Sequence, residues 1–319
     1  MFWASYLLAA LAVMLAWPVP VMLSRARWPA RAPKTALILW QAIALAGGLS
    51  MIGAMLTWGL EPLGDNLLAG LRGLTALLAS YEPAPGLDLI HVFALSAALL
   101  LGVHLVFTLL LTYYRIAKQR HRHRMLLNLL SSPAKDSPKT LVINHPAPVA
   151  YCLPGGSGSV TVLSEGLMEL LTPAELQSVL QHERAHLNQR HHLLLWAFAA
   201  WRAALPWLPT SQLAQRAVNE LIEMLADDAA LETTDRQTLI RAVALVAGGE
   251  RPGGGAVGAP ARELLSPEEA QALTSAHRIR RLLTPMAPLG SAAQTLVVAG
   301  AALLLAVPTV LLIVPGLAG

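Results

Sequence analysis

LTPAELQSVLQHERAHLNQRHH, residues Leu171–His192, lies near the middle of the chain and decides how the rest is read. Thr172, Pro173 and Glu175 spell a helix start: a side-chain cap, the proline favoured in a first turn, and an acid that closes a capping box. Leu176, Val179, Leu180 and Leu187 follow at helical spacing as an apolar stripe. Glu175, Ser178, His182 and His186 fall on another face. Side chains four apart stack one turn above the other, so His182 and His186 aim at a common point. Two imidazoles so placed can grip one Zn²⁺. Glu183, directly after the first histidine, is positioned to take a proton from a water activated there. A solvated polar helix face would carry similar residues, since Arg184, Asn188, Gln189 and Arg190 adjoin.

A catalytic zinc needs a third protein ligand and one open position. NELIEMLADDAA (Asn219–Ala230) is helix-compatible and unusually acidic for this chain. Glu223 and Asp227 are again four apart: Glu223 suits the third ligand, and Asp227 suits the carboxylate that fixes a ligand histidine's tautomer. Glu220, on a neighbouring face, is the rival ligand, and an exposed acidic face is the blander reading.

The 319 residues are 55% hydrophobic and only 13% charged, against about 25% charged in an ordinary soluble domain. A membrane protein follows. Four stretches approach the ~20 apolar residues that cross a bilayer: Phe2–Leu23, Ala36–Leu60 with a weak point at Gly47-Gly48, Leu89–Tyr114, and Ala292–Leu317. The first lacks a basic leader and a good cleavage site, so it is read as a retained span. Basic loops at Ser24–Lys34, Tyr113–Arg124 and His277–Arg281, against an acidic Glu61–Asp88 loop, place both termini outside and residues 115–288 in the cytosol. The chain is expected to comprise a membrane region with three spans (1–114), one cytosolic α+β domain (115–288) and a fourth span (289–319), in the inner or plasma membrane.

Within the cytosolic section, short β-rich runs stand at Leu141–Asn144, Val149–Leu153 and Val160–Leu163. PGGSGS before the last is a hairpin-type turn, and Glu250–Pro260 is a linker. Leu193–Pro209 is too short to span before Arg202 interrupts it; its tryptophans suit an interfacial helix or a buried core one. His91 and His104, inside the third span, are explained by facing a neighbouring helix. The net charge of +4 comes from residues flanking apolar runs, with no nucleic-acid-binding motif, so direct nucleic-acid binding is not expected. Cys152, the sole cysteine, excludes an internal disulfide and reads as a small buried hydrophobe.

CLPGGSGSVTVLSEGLMELLTPAELQSVLQHERAHLNQRHHLLL followed by ELIEMLADDAA resembles the BlaR/MecR-type membrane metallopeptidases, and more distantly the HtpX-type and prenyl-protein-processing membrane zinc proteases. The likeness is close over Leu141–Leu231. It implies a gluzincin-type domain with one zinc per chain on His182, His186 and Glu223, Glu183 as general base, and Asp227 behind a ligand. It further implies a protein or peptide substrate, with a cytosolic transcriptional repressor as the leading guess, and substrate pairing along the Val160–Leu163 strand. The large extracellular penicillin-binding domain of the antibiotic sensors does not follow the fourth span, so direct antibiotic sensing is not expected. His191 and His192 stand where relatives often have an aspartate, and are read as interfacial or structural rather than as ligands. His277 and Arg278 are candidates to stabilise an oxyanion; a juxtamembrane anchor is the preferred reading.

The reading is therefore a membrane-anchored zinc endopeptidase, acting on a substrate or on itself in a regulatory response. A catalytically silent signalling receptor or scaffold with a structural zinc site is the alternative. An intramembrane protease of the site-2 type is disfavoured because the motif helix is too polar to face lipid.

Overall fold

A computed structural model describes residues 2–80, 86–134, 137–153, 159–249 and 267–313. It is mostly helical with one small mixed sheet. The elements are α1 (Phe2–Ala16), α2 (Pro18–Arg25), α3 (Pro33–Leu60), α4 (Leu67–Ser80), α5 (Leu89–Leu130), β1 (Ser131–Ala134), β2 (Ser137–Ile143), β3 (Ala150–Leu153), β4 (Val160–Ser164), α6 (Glu165–Leu170) and α7 (Pro173–Asn188). They continue with α8 (His191–Ala204), α9 (Pro209–Ala230), α10 (Arg236–Gly249), α11 (Pro267–Leu283) and α12 (Ser291–Ile313). The chain divides into two compact units.

The first unit holds residues 1–114, 196–218 and 289–319. Four helices among the described residues are long and apolar enough to cross a membrane: Phe2–Arg25, Pro33–Leu63, Leu89–Leu127 and Ser291–Ile313. They give a multi-pass, membrane-embedded protein. At the centre of this unit is α3, whose small residues let neighbours approach. A Cβ on Gly53 would stand 3.0 Å from Leu312 and 3.3 Å from Leu8, so α12 and α1 both close on that point. Gly47 and Gly48 do not interrupt the helix. They seat Leu15 and the Trp201 ring, the latter 3.1 Å from where a Cβ would lie on Gly48.

Of the two placements open for the tryptophan-bearing helix, packing against other apolar helices is the one the contacts favour. Trp196 donates its indole N–H to the Leu109 carbonyl at 3.3 Å, and the His104 ring N–H bonds the Ala204 carbonyl at 3.0 Å. Ala204, Leu205 and Leu208, in the turn between α8 and α9, cluster with Ala16, Met51, Leu101 and Leu105. Thr210 donates to the carbonyls of Leu15 and Ala16, where α1 ends. Residues 196–218 thus form a partly buried helical hairpin within the first unit, with Trp207 exposed at its tip.

The second unit comprises residues 115–195 and 219–288, so its sequence is discontinuous. Its sheet has the order β1-β2-β4-β3. β2 runs parallel to β4, while β1 and β3 are antiparallel to their neighbours. The Val160–Leu163 strand therefore lies inside the sheet, paired on both sides, and cannot offer an edge to a substrate. The edge is β3. The expected turn between β3 and β4 falls largely on residues 154–158, and the expected linker on 250–260; both lie outside the described residues. Leu163, Leu167 and Leu171 form a core against which Leu176, Val179 and Leu180 of the α7 stripe pack. Thr172 and Glu175 complete the reciprocal capping box.

Ser164 explains much of the local geometry. Its hydroxyl accepts from the Val149 amide at 2.9 Å, donates to the Ala147 carbonyl at 2.7 Å and caps α6. Gly166 follows because the Pro146 carbonyl oxygen would lie 2.0 Å from any Cβ there, a contact with backbone that cannot swing aside. Gly166→Ala is expected to destabilise the protein by about 2–3 kcal/mol through overpacking. Thermal unfolding of the full chain in detergent checks this; an unchanged melting temperature contradicts it.

Candidate metal centre

One cluster in the second unit gathers side chains from three helices. α7 supplies His182, Glu183 and His186, α9 supplies Glu223 and Asp227, and α11 supplies Arg278. The Nε2 atoms of His182 and His186 are 3.2 Å apart. Glu223 places Oε2 3.4 Å from His182 Nε2 and Oε1 3.5 Å from His186 Nε2. Donors about 2.0–2.2 Å from a tetrahedral zinc stand about 3.3–3.6 Å from each other, so the edges of 3.2, 3.4 and 3.5 Å are close to the dimensions that zinc requires. Two imidazoles and one carboxylate are also a donor set that zinc accepts. Among the described residues these three form the group able to hold a metal ion.

The rings are oriented from behind. His182 Nδ1 lies 3.0 Å from Asp227 Oδ1. Arg278 Nη2 is also near that nitrogen, at 3.3 Å, but is itself a donor and bonds the same Asp227 oxygen at 2.7 Å. The imidazole proton therefore goes to Asp227. Arg278 also reaches Asp227 Oδ2 through Nε at 2.9 Å and Glu223 Oε2 through Nη1 at 3.0 Å. It is a brace across two carboxylates, not the membrane anchor preferred from sequence. His277 points elsewhere, pairing with Glu220 at 2.8 Å on the exposed rim. Neither the rival ligand Glu220 nor His277 enters the cluster.

Behind His186 stands His191, almost wholly buried, with the two Nδ1 atoms 3.1 Å apart. Its position depends on Arg190, whose φ of 52° is the sole positive value for a non-glycine residue among the described ones. This left-handed residue lets the chain leave α7 and start α8 beneath the site.

Electrostatics follow from burial and these pairings. Burial opposes charge on the two carboxylates, yet bonds from His182 and the Arg278 charge hold Glu223 and Asp227 down at about 2. Burial alone would lower His182, but its bonds to Asp227 and Glu223 outweigh that and raise it to about 9. His186 is pushed down to about 4 by burial and the neighbouring His182 charge, and burial likewise brings His191 to about 4. Glu183 is raised, chiefly by burial, while accepting the Cys152 backbone N–H.

Zinc must displace the proton that metal-free His182 keeps up to about pH 9, whereas His186 is already neutral at pH 7. Zinc affinity is expected to climb about tenfold per pH unit toward pH 9 and to flatten above it. Chelator competition between pH 6.5 and 10 checks this; a flat profile contradicts it.

A cavity of about 400 Å³ opens onto the cluster. Pro148 and Val149, with Ala150 and Tyr151 of the β3 edge that they lead into, line one side, and Leu239, Val243, Val246 and Ala247 of α10 line another. Sequence reasoning gave no signal for this wall, because nothing local marks which strand lies beside α7. Tyr151 is held from α5 by a 2.6 Å bond to His123.

Residues 117–220 match the model of Peptidase family M48. Members of Peptidase family M48 are metallopeptidases, typically zinc-dependent. The match supports a membrane-associated metalloprotease. It includes α7 with its His-Glu-x-x-His run and stops before Glu223. It does not confirm a BlaR/MecR-type kinship. No curated protein and no solved structure gives a significant match.

Proposed function

We propose that the chain is a membrane-anchored zinc endopeptidase with its site facing the cytosol. The observation that carries this reading is the His182–His186–Glu223 triangle with Glu183 beside it at the wall of one cavity. Bound there, zinc supplies Lewis acidity, polarising a carbonyl and making water nucleophilic near neutral pH. Glu183, raised by burial yet not one of the three donors, is the base that takes the water's proton and the acid that later gives it to the leaving amine. Asp227 fixes the His182 tautomer, and Arg278 keeps Asp227 and Glu223 ionised and aimed. A structural zinc site usually closes its fourth position with protein. Among the described residues the donor set stops at three, which favours catalysis over a silent scaffold.

The open edge of β3 is the natural seat for an extended peptide. Ser164 donates its amide to the Val149 carbonyl, so residues 149, 151 and 153 bond β4 and the backbone of 150 and 152 faces away. The Cys152 amide is taken by Glu183. Ala150 is left to pair with substrate main chain, next to the general base. Basic residues Arg25, Arg27, Arg31 and Lys34, at the facing ends of the first two spans and in the link between them, support a cytosolic domain. A cytosolic transcriptional repressor, or the chain itself, is the proposed substrate, on the BlaR/MecR resemblance alone.

The test is a comparison of newly formed protein N-termini in cells carrying the wild-type chain or Glu183→Gln. Termini present only with the wild type are expected; identical sets overturn the proposal.

A further inference from the structure

The two ligand histidines are braced differently. His182 gives its Nδ1 proton to a carboxylate, Asp227. His186 instead faces a second imidazole: its Nδ1 is 3.1 Å from His191 Nδ1, and His191 Nε2 is 3.1 Å from Gln189 Oε1. We infer that His191 is a positioning residue for His186, accepting its Nδ1 proton and thereby fixing which nitrogen, and which ring angle, is offered to the metal. The inference rests on reading His182, His186 and Glu223 as the zinc site.

The proton positions follow from counting. A neutral imidazole carries one N–H and one lone pair. His186 Nε2 faces Glu223 and His182 and must keep its lone pair for a metal, so the His186 proton sits on Nδ1. Only a lone pair can then stand opposite, so His191 is protonated on Nε2 and donates to Gln189. In the reverse arrangement, His191 would donate to His186, whose proton would move to Nε2 and close it to the metal. That arrangement also sets a His191 lone pair against the Gln189 oxygen. Every polar atom of the buried His191 ring has a partner in the first arrangement, as buried polar atoms require. The left-handed turn at Arg190 brings His191 there, five residues after His186 and off the helical spacing that marks the ligands.

Full-length protein in nanodiscs tests this with zinc affinity, by chelator competition, and with the visible spectrum of the cobalt-loaded site. His191→Phe keeps the bulk and removes the acceptor; it is expected to weaken zinc about 10–100-fold and to change the cobalt bands. His191→Asn places an amide oxygen near the lost Nδ1 and is expected to restore affinity to within about threefold. Wild-type affinity and spectrum in His191→Phe would overturn the inference. Equal losses in both variants would also overturn it, since that outcome marks packing alone. If His191→Phe does not fold, Gln189→Leu leaves the ring in place; severalfold weaker zinc supports the relay, and unchanged zinc overturns it. Zinc binding that survives His186→Ala would instead bring down the zinc-site reading itself.

Discussion

Glu183→Gln is expected to lower peptide hydrolysis about 10²–10⁴-fold while the protein still binds one zinc. The carboxylate lies at the cavity wall beside the triangle but is not one of its donors. Burial raises its proton affinity, which suits a group that must collect a proton and then release it. Glutamine keeps the shape and an oxygen to accept the Cys152 N–H, so packing and the β3 wall should survive. What disappears is basicity. The loss should fall on kcat, with KM nearly unchanged, since a proton transferred only in the transition state is what has been removed. Kinetics on an unfolded protein substrate, with zinc content measured on the same preparation, check this. Activity within threefold of wild type contradicts it.

Asp227→Ala is expected to cost about 3–5 kcal/mol in the metal-free protein, because it strands a buried cation. The Asp227 side chain is 1% exposed and Arg278 only 14%, and three of the guanidinium's bonds go to the two carboxylates Asp227 and Glu223. With Asp227 gone, Arg278 keeps Glu223 alone, and His182 loses the acceptor that sets its tautomer. Zinc affinity should fall a further 10–100-fold. Asp227→Asn should land between, since one amide oxygen cannot serve both Arg278 and His182. Thermal unfolding with and without zinc measures both effects. Unchanged melting and unchanged affinity would show that the brace carries no load.

Local chemistry was legible in the sequence, and non-local pairing was not. The cap at Thr172, the stripe on α7 and the common aim of His182 and His186 depend only on residues within a turn or two of each other. Glu223 and Asp227 were legible as a face by the same spacing, but the choice of Glu223 over Glu220 depends on how α9 turns toward α7. Arg278 is 51 residues from Asp227 and 96 from His182, and in sequence its neighbours Arg280 and Arg281 make it look like a membrane anchor. The parallel pairing of β2 with β4, which buries β4 and exposes β3, is a long-range choice that strand patterns do not encode. The α8–α9 hairpin was left open between two placements for another reason: an apolar, tryptophan-bearing helix looks the same whether it lies on lipid or among other helices. His191 was legible as structural rather than as a ligand, but its approach to His186 was not, because it passes through a left-handed arginine.

The most direct test of the zinc-peptidase account is a metal titration of the chelator-stripped, full-length chain, reading bound zinc and peptide cleavage together. The account predicts cleavage that rises with added zinc and breaks at one equivalent, and His182→Ala protein that neither binds nor cleaves over the same range. Cleavage that persists after stripping, or a titration unchanged in His182→Ala, would contradict it.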